Sequence, residues 1–117
     1  MKKILFIFSG SPSNTNAQEG FEALLAGSAF TECEILFREE AVLQLKRGQD
    51  ADAMKRKDYS RGYGALKDYG VSGIYCSASA LKKYLLEPED LLINVNIINY
   101  EEERTRISQS DLVLSYR

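Results

Sequence analysis

Cys76 is the residue whose type and position in this 117-residue sequence best suit chemistry. It closes a short apolar run, Val71–Cys76, that predicts a strand, and Ser77-Ala78-Ser79 follow as the predicted start of a helix. A thiol at such a junction faces unpaired backbone N–H groups and the positive end of a helix dipole, which lower the pKa of a cysteine. Lys82 and Lys83 add positive charge further along the same helix. Cys76 is therefore a candidate reactive thiolate, with these five residues stabilising its charge.

The alternative for Cys76 is an inert role, because a free cysteine is often a small, buried core residue. The second cysteine, Cys33, stands at the start of the second predicted strand and is expected to be structural. With parallel strands, it lies at the edge of the sheet opposite Cys76. A disulfide between the two is therefore not expected.

The absence of histidine restricts the chemistry most. It excludes Ser-His-Asp and Cys-His pairs, histidine metal ligands and a histidine general base. Two cysteines are too few for a thiolate zinc site within one chain. We therefore expect neither a metal nor an organic cofactor, and sulfur chemistry at a thiolate remains the main catalytic option.

The composition indicates an ordinary globular chain. It has 15 basic and 17 acidic residues, without the basic excess of a nucleic-acid-binding module, so direct nucleic-acid binding is not expected. No apolar run reaches the roughly 20 residues that cross a membrane. The apolar stretch Ile4–Phe8 is too short for a signal peptide. We expect one domain over residues 1–117, in the cytoplasm, without membrane association.

Predicted strands and helices alternate along the chain. The strands are Lys2–Phe8, Cys33–Phe37, Val71–Cys76, Ile93–Ile98 and Leu112–Tyr116. The helical stretches begin at Ala17 and then cover Glu39–Leu45, Asp52–Lys67, Ser77–Leu85 and Glu101–Gln109. This alternation predicts an α/β three-layer sandwich with a mostly parallel five-stranded sheet. The flavodoxin-like order 2-1-3-4-5 is the first choice, with a ligand crevice beyond the carboxyl ends of strands 1 and 3.

The loop after the first strand is a second candidate site. Ser9, Ser11, Asn14 and Thr15 could line the predicted crevice, since hydroxyl groups and free N–H groups at a strand–helix junction can hold phosphate. The loop resembles the phosphate loop of flavodoxin-like FMN-dependent reductases. The alternative interpretation is a polar loop with a helix cap.

Three stretches of the sequence together resemble one family. They are Phe6–Ser9 with Pro12 and Gln18–Ala29, then Val42–Leu45 with Gly48-Gln49, and finally Cys76 with Ala80–Lys83. Across its whole length the chain resembles the DsrE/DsrF-like sulfur-relay proteins, most closely their TusC/DsrF branch. In that branch a strand ending in Phe-Ser is followed by a Pro and then by Arg-Glu-Gly-Leu-Asp-Ala-Leu-Leu-Ala and Ser-Ala. A later Cys is followed by a small-residue helix and by Arg-Arg-Gly or Arg-Gly.

The resemblance implies a cytoplasmic subunit of a heterohexamer with DsrE/TusD-like and DsrH/TusB-like subunits. Such complexes pass persulfide sulfur between upstream and downstream carriers, toward 2-thiouridine in tRNA or, in the Dsr branch, toward sulfur oxidation. Cys76 falls near the position of the family's relay cysteine. That cysteine is best associated with the DsrE/TusD-like subunit, so a purely structural subunit stays open. An FMN-binding module and a stand-alone homo-oligomer are also compatible with the sequence.

Overall fold

The computed structural model describes residues 2–10, 15–45, 70–91 and 94–117. Its strands are Lys3–Phe8 (β1), Glu32–Phe37 (β2), Val71–Ser77 (β3), Asn96–Ile98 (β4) and Leu112–Tyr116 (β5). Its helices are Thr15–Ser28 (α1), Ala78–Lys83 (α2) and Tyr100–Gln109 (α3), with 3₁₀ segments at Glu39–Leu45 and Pro88–Asp90. The predicted helix Asp52–Lys67 lies outside the described residues.

The element types follow the sequence pattern closely, and the differences have local causes. The helix predicted over Ser77–Leu85 is shorter, because Ser77 is its N-cap and Leu85 has a φ of 57°, which helical residues do not adopt. The last helix begins after Asn99, whose side chain accepts a hydrogen bond from the Glu102 N–H at 2.9 Å. The strand predicted over Ile93–Ile98 is reduced to β4 among the described residues.

The five strands are all parallel, in the order β4-β3-β2-β1-β5. The α/β class and the five-stranded parallel sheet are confirmed, but the predicted order 2-1-3-4-5 is wrong. That order would leave β2 at an edge, whereas β2 lies in the centre and five of its six residues are buried. An apolar run of this kind belongs to a strand with neighbours on both sides and cover on both faces. The more exposed β5 takes the edge beside β1.

Helical segments cover both faces of the sheet, as the three-layer prediction requires. One face packs under α1, the 3₁₀ segment Glu39–Leu45 and α2, and its buried side chains include Phe6, Phe37 and Cys76. The other face carries Leu5, Ile7, Leu36, Tyr75 and Ile98, and Ile107 of α3 packs against it. Because α3 connects β4 to β5, it crosses the sheet from one edge to the other.

Aromatic rings fill the space between β1 and α1. The Phe8 side chain is fully buried, and its ring centroid lies 5.6 Å from that of Phe37 and 5.7 Å from that of Tyr116. Gly20 of α1 lies directly over this cluster, where a Cβ atom would come within 2.7 Å of the Tyr116 ring and 2.8 Å of the Phe8 ring. The absence of a side chain at Gly20 therefore lets α1 approach the rings closely.

The outer strand β5 is fixed to β1 at the amino end of the sheet as well as by the strand pairing. The Lys3 N–H donates to Asp111 Oδ2 at 2.7 Å, and the Asp111 N–H donates to the Lys3 carbonyl at 2.9 Å. This contact joins residues 108 positions apart in the chain.

Candidate functional site

Cys76 lies at the carboxyl edge of the sheet, where the prediction placed it. It pairs with Phe37 at the end of β2 and with Ile97 of β4. Cys33 pairs with Ile4 and Val71 near the opposite edge. Both cysteines are free and buried, so the prediction that they are far apart and not disulfide-bonded is confirmed.

The Cys76 thiol does not face solvent. Its side chain is fully buried in the apolar cluster under α2, together with Ala80 and Leu81. Burial, and then the negative charge of Glu103, raise the pKa of the Cys76 thiol to about 12. In this conformation the thiol is therefore protonated at neutral pH.

The predicted lowering of the Cys76 pKa is wrong for this conformation, and the cap of α2 explains why. Ser77 is the N-cap, and its hydroxyl accepts a hydrogen bond from the Ala80 N–H at 3.3 Å. The side chain of Ser77 thus occupies the start of a helix that is only six residues long, while the thiol points into the core. Lys82 and Lys83 are exposed, and Lys83 Nζ lies 5.5 Å from the centre of the Tyr84 ring.

Burial of Cys76 predicts slow alkylation of the folded chain. Because the thiolate is the nucleophile, a pKa near 12 leaves a very small reactive fraction at pH 8. In a Cys33→Ser variant, we expect iodoacetamide to modify Cys76 at least about tenfold more slowly in buffer than in urea. This expectation allows for the lower intrinsic nucleophilicity of the unfolded thiol, which follows from its lower pKa. Mass spectrometry of timed samples measures both rates. Equal rates would contradict the buried position.

A polar crevice also opens at the carboxyl edge. It has a volume of about 390 Å³ and is lined by Ile7, Ser9, Arg38, Glu39, Ser115 and Arg117. The connection from β1 runs through α1 on one face, whereas β5 is reached through α3 on the other, so the winding direction reverses between β1 and β5. The prediction of a crevice between strands 1 and 3 is therefore wrong, because β2 lies between β1 and β3 in the sheet.

Of the four loop residues predicted at the crevice, the structure places Ser9 there. The Ser9 N–H donates to the Tyr116 carbonyl at 3.0 Å. Thr15 is the first residue of α1, and Ser11 and Asn14 lie outside the described residues. Gly10 lies so close to the residue that follows β5 that a Cβ atom would clash with the Arg117 backbone. Only glycine fits at this position.

Two buried carboxylates beneath α3 were not predicted from the sequence. One is Glu103 in the first turn of that helix, which is 3% exposed. Its Oε1 lies 3.4 Å from Arg38 Nε. Burial raises the pKa of Glu103, and the positive charge of Arg38 and then the Ser77 side chain oppose that rise. In the sequence Glu103 looks like one of three equivalent acids at a helix start, so only the packing distinguishes it.

The second buried carboxylate is Glu34, in the middle of β2, which is 4% exposed. The Tyr75 hydroxyl donates to Glu34 Oε2 at 3.0 Å, and Arg106 Nη1 lies 3.6 Å from the same oxygen. Lys3 Nζ lies 3.4 Å from the other oxygen. The Arg106 guanidinium also lies 4.4 Å from the centre of the Tyr75 ring. Glu34 is a single acid within an apolar predicted strand. This pattern could have indicated the cluster, because a buried charge needs partners.

Replacing Tyr75 by phenylalanine tests the Glu34 cluster. The change keeps the ring under Arg106 and removes the hydroxyl that donates to Glu34. We expect the free energy of unfolding to fall by about 1 kcal/mol, because Arg106 still faces the same oxygen. Urea denaturation followed by circular dichroism measures the change, and a Tyr100→Phe variant, altered at an exposed tyrosine, is the control. An unchanged unfolding midpoint for Tyr75→Phe would contradict the role of this hydrogen bond.

Two negative findings concern the described part of the chain. Within residues 2–10, 15–45, 70–91 and 94–117, no three Cys, Asp or Glu side chains converge as metal ligands would. In the same ranges, no helix combines the length and the apolar character that a membrane crossing requires.

Sequence comparisons match the whole chain to one family. The DsrE/DsrF-like family matches residues 2–116. The "Protein TusC homolog" of Aliivibrio fischeri is 30% identical over 118 residues, which cover 99% of this chain and all of that protein. "Protein TusC" of Escherichia coli O127:H6 is 31% identical over 119 residues, with the same coverage.

Two solved structures share the fold. The ychN protein from E. coli superimposes with a TM-score of 0.85 over 99% of this chain and 100% of that chain, at 17% identity. Protein MTH1491 from Methanobacterium thermoautotrophicum gives a TM-score of 0.68 over 97% and 99%, also at 17% identity. The family match over residues 2–116 and the relatives at 30% and 31% identity over 99% of the chain show that this chain belongs to the DsrE/DsrF-like family.

Proposed function

We propose that this chain is a TusC-like subunit of a sulfur-relay complex that passes persulfide sulfur toward 2-thiouridine in tRNA. The observation that carries the proposal is the similarity to proteins named TusC over 99% of the chain. The proposed setting is the cytoplasm, and the proposed partners are DsrE/TusD-like and DsrH/TusB-like subunits with upstream and downstream sulfur carriers. The chain itself is not proposed to contact tRNA.

Cys76 is the proposed persulfide carrier within this subunit. Its thiolate attacks the outer sulfur of a donor persulfide, a new S–S bond forms on Cys76, and the donor cysteine leaves as a thiolate. The thiolate of the next carrier then attacks the terminal sulfur, and Cys76 leaves in turn. Each step exchanges one S–S bond for another, so no external oxidant or reductant is needed.

The burial of Cys76 adds a requirement to this proposal. A fully buried thiol reacts only when the segment over it moves. The segment that follows Cys76 in the chain is α2, a short helix whose Ala80 and Leu81 are buried in the same apolar cluster as the thiol. We propose that docking of a partner subunit displaces α2. The backbone N–H groups of Ser77, Ala78 and Ser79 then become available to the persulfide, with Lys82 and Lys83 attracting an acidic partner surface.

Matched cysteine variants test the carrier role. In a complex reconstituted with DsrE-like and DsrH-like subunits, radiolabelled persulfide sulfur is supplied by the upstream carrier and recovered on the downstream one. We expect Cys76→Ser to abolish transfer through this subunit and Cys33→Ser to retain it. Circular dichroism confirms that both variants fold. Unchanged transfer in Cys76→Ser would show that this chain is a structural subunit.

The assembly itself is tested separately. We expect native mass spectrometry after co-expression with DsrE-like and DsrH-like proteins from the same genome to give a complex that contains all three chains. A homo-oligomer of this chain alone, under the same conditions, would contradict the relay-complex assignment. Flavin absorbance in the purified protein would favour an FMN-binding module instead.

A further inference from the structure

The polar crevice at the carboxyl edge lies where the apolar layer beneath α3 ends. Three residues of that layer stand on the adjacent strands β5, β1 and β2: Val113, Ile7 and Leu36. Two positions further along each strand the residue is polar, with Ser115 in β5, Ser9 after β1 and Arg38 after β2. Since side chains alternate between the two faces of a strand, these polar residues lie on the same face as the apolar layer. All three line the crevice, which has a volume of about 390 Å³.

The strand pairing continues into the crevice and fixes its backbone. The Ser9 N–H donates to the Tyr116 carbonyl at 3.0 Å, and the Arg38 N–H donates to the Phe8 carbonyl at 2.9 Å. Groups carried by paired strands are held more precisely than groups on a free loop. Ser9 and Arg38 therefore have the fixed positions that a binding site requires.

Arg38 is the charged residue best placed to hold a ligand in the crevice. Its Nε lies 3.4 Å from Oε1 of Glu103, which is 3% exposed, so a buried carboxylate positions the guanidinium from the side of α3. An arginine has five N–H donors, and a contact at Nε leaves those of the two terminal nitrogens for other acceptors. The Arg38 side chain is 30% exposed. It therefore combines a fixed position with donors that a ligand in the crevice can reach.

The other charged residues of the crevice narrow the class of ligand. Arg117 adds a second guanidinium, and the forked donors of arginine match the oxygens of a phosphate group. Glu39 adds a carboxylate, which accepts hydrogen bonds and so suits a hydroxyl group of the same ligand. The volume of about 390 Å³ falls in the range of roughly 300–1,000 Å³ that is typical of small-molecule sites.

We propose that this crevice binds the phosphate group of a small hydroxylated molecule, with Arg38 as the main phosphate-binding residue. The hydroxyl groups of Ser9 and Ser115 donate to phosphate oxygens, and Glu39 accepts from a hydroxyl group of the ligand. The crevice lies where the winding direction reverses between β1 and β5, which is where parallel α/β sheets bind their ligands. It is on the opposite face of the sheet from Cys76, so this site does not depend on the proposed sulfur transfer.

Isothermal titration calorimetry of the full chain in phosphate-free buffer, at physiological ionic strength, tests the ligand class. The probes are ribose 5-phosphate, inorganic phosphate and ribose. We expect no measurable binding of ribose, and at least about fivefold tighter binding of ribose 5-phosphate than of inorganic phosphate, because Glu39 adds a hydrogen bond to the sugar. No tighter binding of ribose 5-phosphate would overturn the role of Glu39 and identify inorganic phosphate as the ligand. The site itself would be overturned if neither phosphate compound bound at millimolar concentration.

Two variants test the residues of the crevice. We expect Arg38→Gln to weaken the binding of ribose 5-phosphate at least about tenfold, because charge-assisted hydrogen bonds are lost. Arg104→Gln, at an exposed position of α3, changes the net charge equally and is expected to keep the affinity within about twofold, since a distant exposed charge is screened. Ser115→Asp places a negative charge in the crevice at an exposed position, and we expect at least about tenfold weaker binding by repulsion.

The second variant also guards against a failure of folding, because Arg38→Gln removes the partner of the buried Glu103. Circular dichroism shows whether each variant folds, and Ser115→Asp decides the proposal if Arg38→Gln does not. An equal loss of affinity in Arg38→Gln and Arg104→Gln, or an unchanged affinity in Ser115→Asp, would overturn the assignment of the phosphate group to this crevice.

Discussion

Replacing Phe8 by alanine is expected to lower the free energy of unfolding by about 3–5 kcal/mol. Phe8 is fully buried between the Phe37 and Tyr116 rings, and α1 closes over it at Gly20. Removal of the ring leaves a cavity that the surrounding strands and helix cannot close without moving. Since a domain of this size is stable by only about 5–15 kcal/mol, the variant loses a large part of its stability. Urea denaturation followed by far-ultraviolet circular dichroism measures the loss.

Phe30→Ala is the matched control for Phe8→Ala. The same atoms are removed, but the Phe30 side chain is 91% exposed in the turn between α1 and β2. We expect its effect to stay within about 0.5 kcal/mol. A similar loss in both variants would contradict the packing described around β1.

Replacing Gly20 by alanine is the second change with a large expected effect. In a helix interior this substitution normally stabilises by roughly 0.5–1 kcal/mol. Here the new methyl group would lie within 2.9 Å of ring atoms of both Phe8 and Tyr116, so α1 must move away from the sheet. Such overpacking costs typically about 1–3 kcal/mol, and we expect a net loss of about 2 kcal/mol in urea denaturation.

Gly27→Ala, in the same helix, is expected to raise the free energy of unfolding instead of lowering it. A Cβ atom at Gly27 would lie 3.6 Å from Cys33 Sγ and 3.6 Å from the Phe6 ring, which are ordinary contact distances. We therefore expect a gain of about 0.5–1 kcal/mol. If both alanine variants changed stability in the same direction, the close approach of α1 at Gly20 would be contradicted.

The sequence was sufficient to predict most of the elements. The strands and helices follow from apolar runs and helical spacing, and the described bounds differ mainly at caps, such as Ser77, and at the positive φ of Leu85. The strand order was not predictable in the same way, because alternating strands and helices are compatible with several parallel sheets. The apolar run of β2 indicated a central strand, and this signal was available but outweighed by the flavodoxin-like arrangement.

The position of the candidate site could be predicted from the sequence, but the burial and the pKa of its thiol could not. The end of the Val71–Cys76 run placed the thiol correctly at the carboxyl edge. Its pKa depends on which side of the strand the thiol faces and on a charge from α3, more than 20 residues later in the chain. Neither is encoded in the local pattern around Cys76. Glu34 and Glu103 were missed for the same reason, since burial of a charge is a property of the assembled layers.

The position of β5 beside β1 has a consequence for synthesis of the protein. β5 follows every other described element in the chain, and its contact with β1 joins residues 108 positions apart. While the ribosome is still making the C-terminal part, the apolar strand Lys3–Phe8 has one edge without its final neighbour. Such an edge can pair with the strands of other nascent chains. We therefore expect this stage to be the one at which the growing polypeptide most needs a molecular chaperone.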